Sequence, residues 1–186
     1  MKKLLILLFL TTIIFQPLTS ADDISEFELD SLSIGDSLLD IFSSKTIEDN
    51  KAKYYKDNTF ASMSFSSLDK KYDEIQVSWK TSDPKYKIMS IAAGINQTSM
   101  NECYKKMKKV SNELVQFFDK KPKKQESHPN PFGLYTYIVI PFDNGDEVSI
   151  SCYDYEDKYE YTDIFRINID SKEFRNWIDS DPFKKK

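Results

Sequence analysis

The chain has 186 residues, a net charge of −4, 13 phenylalanines, 11 tyrosines and only four glycines. That aromatic content excludes a disordered chain, and the acidic balance excludes nucleic acid as a natural partner. Two cysteines and one histidine fall short of a zinc site, and without any cofactor-binding motif no cofactor is expected.

The first 21 residues read as a cleavable signal peptide. Lys2 and Lys3 precede an apolar run from Leu4 to Phe15, and Thr19 and Ala21 place small residues at the −3 and −1 positions of a cut between Ala21 and Asp22. The apolar run has 12 residues, too few for the ~20 that span a bilayer. No stable membrane insertion is therefore expected after cleavage, and the mature chain, 22–186, is expected as one exported domain, periplasmic or secreted. Losing two lysines takes its net charge to −6.

Ile34 to Phe42 reads as a turn at Gly35 leading into a short helix, with Asp36 or Ser37 as the cap. Alternation then predicts strands at Ala61–Phe65 and Ile75–Trp79, each with one wet face, and Tyr86–Ile95 reads as a strand buried on both sides. Ser99 and Glu102 form a capping box. Beyond it Met100, Cys103, Met107, Val110, Leu114 and Phe117 recur at helical spacing, while Lys105, Lys106, Lys108 and Lys109 take the opposite side.

Lys120–Gly133 carries three prolines and reads as a long loop. Leu134–Phe142 and Glu147–Tyr155 then flank Asn144-Gly145, which predicts a two-residue hairpin. That loop pairs Val139 with Ile150 and Tyr137 with Cys152, so Tyr137, Val139, Val148, Ile150 and Cys152 would share the core face. A strand at Ile164–Ile169 and a helix carrying Phe174, Trp177 and Ile178 complete the chain. The fold class is α+β: an antiparallel sheet of about six strands, in the order short helix, three strands, long helix, three strands, helix.

Cys103 lies on the apolar stripe of the long helix and Cys152 on the expected core face of the hairpin. Both periods point the thiols together, and an exported chain meets oxidising conditions, so a helix-to-sheet disulfide is expected.

His128 has neither a nucleophile nor an orienting group nominated by spacing, and familiar hydrolase and phosphate-loop motifs are absent. Three clusters remain. Lys105, Lys106, Lys108 and Lys109 belong to a basic stretch, and Tyr153, Tyr155, Tyr159 and Tyr161 combine rigid area with polar tips. Asp154, Glu156 and Asp157 offer carboxylates for Ca²⁺, though without the spacing or glycine of an EF-hand loop. A non-catalytic module that binds a periplasmic protein or small ligand is the reading these clusters favour over an enzyme. The alternative is a periplasmic hydrolase drawing its carboxylates from Asp154–Asp163.

Leu32-Ser33-Ile34-Gly35-Asp36-Ser37-Leu38-Leu39-Asp40 resembles a stretch in small, uncharacterised exported bacterial proteins that follows their signal peptide. The resemblance extends through the aromatic strands and both cysteines, and it implies export without implying an activity. Ile34–Ser37 also resembles the hydrophobic-x-G-M-T helix entry of small outer-membrane-assembly lipoproteins, whose lipid-attachment cysteine and later G-x-P this chain lacks.

Overall fold

The computed structural model describes residues 23–183 other than 54 and 181. The signal-peptide reading, with its cut between Ala21 and Asp22, falls outside these residues. Seven strands form one antiparallel sheet: β1 Phe60–Phe65, β2 Glu74–Lys80, β3 Ile88–Asn96, β4 Glu126–Asn130, β5 Gly133–Pro141, β6 Glu147–Tyr155 and β7 Ile164–Asp170. Their spatial order is β1-β2-β3-β7-β6-β5-β4. Two hairpin-linked groups therefore meet where β3 pairs with β7. The helices are α1 Ser44–Asp49, α2 Met100–Phe118 and α3 Lys172–Ile178.

The strand beyond the expected six is β4, within the stretch read as a loop. It is an edge strand whose side chains are almost all exposed, so no apolar alternation marks it. Pro129 is tolerated because an edge strand can spare a ladder donor. At the other end of the chain, Ile34–Phe42 forms a 3₁₀ turn, Leu38–Asp40, capped by Ser37, and α1 follows separately. Gly35 N–H donates to the Ile88 carbonyl and Ile88 N–H to the Asp36 carbonyl, at 2.9 Å each, so the segment is tied to the start of β3.

One sheet face is apolar. Met63, Ile75, Val77, Ile91, Ala93, Ile167, Ile169, Val148, Ile150, Ile138 and Ile140 line it and are buried. Over β5–β7 it is covered by α2, whose buried residues are Cys103, Met107, Ser111, Leu114 and Phe118. Val110 is half-buried and Phe117 exposed, so the helix is rolled slightly from the stripe expected. Leu29, Leu32, Leu38 and Ile47 of the segment before β1 complete the same core. The opposite face meets α3 at one end only, where Phe60 packs against Phe174 and Trp177.

The hairpin register differs from expectation by one residue. Phe142 N–H donates to Asp146 O at 2.9 Å and Gly145 N–H to Phe142 O at 3.0 Å, with Gly145 at φ +92°. The loop is thus three residues, Asp143-Asn144-Gly145, a turn closed by a left-handed glycine. Ile138 stands opposite Ile150, Thr136 opposite Cys152 and Tyr137 opposite Ser151. Tyr137 and Val139 therefore leave the core face, and Ile138 and Ile140 replace them.

Cys103 and Cys152 form the disulfide that joins α2 to β6, with Cα atoms 6.1 Å apart and a sequence separation of 49. A cross-link of that span removes about 4 kcal/mol of unfolded-chain entropy. The double variant Cys103→Ala/Cys152→Ala is expected to lose about 3–4 kcal/mol in urea unfolding relative to the oxidised protein; a loss below about 1 kcal/mol would show that the bridge restrains little.

Candidate functional site

The face opposite α2 is polar because alternation places there Ser62 and Ser64 of β1, Gln76 and Ser78 of β2, Ser90 and Gly94 of β3, and Arg166, Asn168 and Asp170 of β7. Glu147, Ser149, Ser151, Tyr153 and Tyr155 of β6 and Tyr135 and Tyr137 of β5 share it. Its small side chains are tied to one another. Tyr55 Oη, Ser62 Oγ and Ser78 Oγ form a chain with 2.7 Å links, and Asn168 Nδ2 donates to Ser149 Oγ at 3.0 Å.

On β5 and β6 the face carries a ladder of rings. His128 stacks on Tyr137 at 5.6 Å between centroids, Tyr137 on Tyr135 at 4.8 Å, Tyr135 on Tyr153 at 4.6 Å and Tyr153 on Tyr155 at 6.0 Å. Cross-strand and same-face spacing brings such rings within stacking reach. The β6–β7 connection extends the row. Tyr155 N–H donates to Asp163 Oδ1 at 2.9 Å, and the connection turns through Asp157–Tyr159 with Glu160 left-handed. This seats Tyr161 edge-on against Tyr155 and parallel to Tyr159. The expected group Tyr153, Tyr155, Tyr159 and Tyr161 is thus brought together.

Sequence reasoning missed Tyr135, Tyr137 and His128 as members. For the two tyrosines the missing signal was the loop length, since a three-residue loop sets their parity, while His128 follows from its place opposite Tyr135 on β4. Tyr137 Oη donates to Glu126 Oε2 at 3.2 Å, and His128 Nε2 lies 3.1 Å from the same oxygen. These contacts, His128 first, hold the Glu126 carboxyl below the usual carboxylate range. Burial first, then neighbouring Tyr153, pushes the Tyr135 hydroxyl far above its usual range. Tyr135 is therefore a neutral hydroxyl at physiological pH.

A second feature without a sequence signal is the pair Glu147 and Asp170, directly opposite one another on β6 and β7. Ser90 Oγ donates to Asp170 Oδ1 at 2.5 Å, and Arg175 Nη1 of α3 lies 3.2 Å from Glu147 Oε1. The pair was hidden because its members lie 23 positions apart and only the sheet joins them. A cavity of about 190 Å³ beside Glu147 is lined by His128, Tyr135, Tyr137, Val139, Ser149 and Arg175.

The lysines occupy the other layer. Lys105 pairs with Glu102 at 2.7 Å, Lys109 lies 3.9 Å from Glu113, Lys106 sits 5.5 Å from the centre of the Phe165 ring and Lys108 is exposed. Lys105, Lys106 and Lys109 edge a cleft of about 670 Å³ over Ile95, Phe165 and Ile167. The structure therefore separates the lysine and tyrosine clusters. Asp154 points to the face away from Tyr153 and Tyr155, and burial, then Asp163 and Asp157, raises its carboxyl. Glu156 pairs with Lys158 at 2.6 Å. Among the described residues no group of three or more His, Cys, Asp or Glu side chains is placed to hold a metal ion, so Asp154, Glu156 and Asp157 are not gathered into one.

The chain matches no protein-family model, no curated protein and no solved structure.

Burial first, then the charge of Glu147, pushes the Asp170 carboxyl up to about 6, against the hydrogen bond from Ser90. The folded state then holds a proton between about pH 4 and 6 that the unfolded chain has released, so this group's contribution falls as pH rises through that window. Between pH 4 and 7 the unfolding free energy of Asp170→Asn relative to wild type is expected to improve by roughly 2–3 kcal/mol. Urea midpoints at the two pH values check it; a difference independent of pH would contradict the buried, proton-holding carboxyl.

Proposed function

We propose that the chain is an exported, non-catalytic binding module whose recognition surface is the tyrosine-lined half of the polar sheet face. The observation that carries this reading is the ladder itself. A row of stacked rings with polar tips is rigid before any ligand arrives, so little side-chain entropy is lost on contact. None of the ladder tyrosines belongs to the core under α2, which is built from aliphatic residues with Phe118, Phe142 and Phe165.

Export to the periplasm or the exterior belongs to the same proposal. A disulfide suits an oxidising compartment, and among the described residues no helix is long and apolar enough to cross a membrane. The partner is then a periplasmic or extracellular protein or small ligand.

Native mass spectrometry of the full gene product, exported into a bacterial periplasm, tests the proposal in one spectrum. The wild type is expected to begin at Asp22, to be oxidised and to carry a bound mass that Tyr153→Ala/Tyr155→Ala loses. A bare wild type, or a bound mass retained by the variant, would count against it.

A further inference from the structure

The chain contains 24 lysines but only two arginines, Arg166 and Arg175. Both stand over the polar sheet face, and their surroundings differ. Arg175 is held between Glu147 at 3.2 Å and Asp179 at 2.8 Å. Arg166, from the middle of β7, donates from Nη2 to the neutral amide oxygen Gln76 Oε1 at 3.3 Å, and its Nε has no hydrogen-bond partner. Among the described residues no carboxylate lies within the 4.0 Å that defines an ion pair with it.

The placement depends on the floor beneath it. Gln76 lies on β2, two strands from β7, so the side chain must cross β3, about 10 Å at ordinary strand spacing. The β3 residue directly opposite Arg166 is Gly94, over which the Ile164 side chain lies 3.1 Å from where a Cβ would stand, and the next on that face is the small Ala92. The Arg166 guanidinium presents a flat fork matched to a carboxylate, a match that the point charge of lysine does not offer. Its charge also reaches the Tyr155 hydroxyl, where it opposes the effect of burial. The unpaired cation and the tyrosine ladder are therefore parts of one surface.

We infer that Arg166 anchors a carboxylate of an acidic, hydroxyl-rich ligand, an acidic saccharide, laid along the tyrosine ladder. This deepens the reading of the tyrosine face as a recognition surface and rests on it. The saccharide class follows from what the face offers. Its rings are stacked flat against one another, so apart from Tyr135, whose hydroxyl is buried beside Tyr153, what they turn outward is edges and hydroxyls. Asn168 and Gln76 add amides beside Arg166. Apart from Tyr161 and Leu134, the exposed large hydrophobic residues lie outside the elements that carry the ladder, so an apolar ligand finds no seat there.

The probe is oligogalacturonate, titrated calorimetrically into the mature, oxidised protein. Its fully methyl-esterified form keeps the hydroxyls and removes the charge, and poly-glutamate keeps the charge and removes the hydroxyls. Wild type is expected to bind oligogalacturonate and to bind both controls about tenfold or more weakly, the order lost with one charge-assisted bidentate contact. Arg166→Gln is expected to lose a similar factor and Arg166→Lys to recover only part of it. Unchanged far-UV circular dichroism and urea midpoint establish that each variant is folded; if the glutamine variant is not, the lysine variant decides. Ester binding equal to acid binding, or an Arg166→Lys variant as tight as wild type, overturns the anchor. If that binding still falls with Tyr153→Ala, the tyrosine surface survives the loss of its anchor. Poly-glutamate binding as tight as oligogalacturonate overturns the saccharide class, and no binding of any probe overturns the inference, while the mass-spectrometric result decides the tyrosine surface separately.

Discussion

The separation of the two sheet faces depends on one constraint, the three-residue loop at Asp143-Asn144-Gly145. A strand has a side-chain period of two, so one residue more or less in this loop exchanges the faces of β5 relative to β6. With Gly145 left-handed, Ile138 and Ile140 join Ile150 and Val148 beneath α2, and Tyr135 and Tyr137 join Tyr153 and Tyr155 on the other side. An added Cβ at Gly145 would stand 2.8 Å from Lys172 Cδ. The loop is thus pressed against the start of α3 as well. Asp146 completes the corner, accepting from Asn144 Nδ2 and from the backbone N–H of Lys172, each at 2.7 Å.

Given that register, the two faces follow different energetics. Under α2 the gain is apolar burial, with the Cys103–Cys152 bridge restraining the unfolded chain. On the other side, buried serines and buried acids rely on polar partners. Beneath α3, Ser90 bonds to Asp170 and Arg175 pairs with Glu147. Asp170 still pays in a raised carboxyl pKa. The tyrosine half begins at that end, where Tyr135 and Tyr137 border the cavity beside Arg175, and among the described residues Arg166 stays there without an anionic partner in a chain of acidic net charge.

Much of this was legible in the residues because it rests on local periods. The capping serine and apolar stripe of α2 are visible from Ser99 to Phe118, and β1, β2 and β7 show plain alternation. The disulfide was readable because Cys103 and Cys152 each sit on an apolar stripe. Cys152 keeps its face under the revised register, since β6 itself does not shift. What local pattern did not carry was anything set by loop geometry or by the sheet order. Asn-Gly is compatible with a two-residue loop and with a three-residue one, and choosing the former put Tyr137 in the core. Strand β4 has no apolar face to declare it. The Glu147–Asp170 pair exists only once β6 is known to pair with β7, and the contact of Arg166 with Gln76 only once β7 is known to pair with β3. The candidate site was therefore half visible, as Tyr153, Tyr155, Tyr159 and Tyr161, while its other half waited on the register.

The most direct test is the set of interstrand nuclear Overhauser contacts across the β5–β6 hairpin in solution. The account predicts backbone contacts that place Ile138 opposite Ile150 and Tyr137 opposite Ser151. Contacts placing Val139 opposite Ile150 and Tyr137 opposite Cys152 would return Tyr137 to the core, break the ladder and contradict the assignment of this face as the recognition surface.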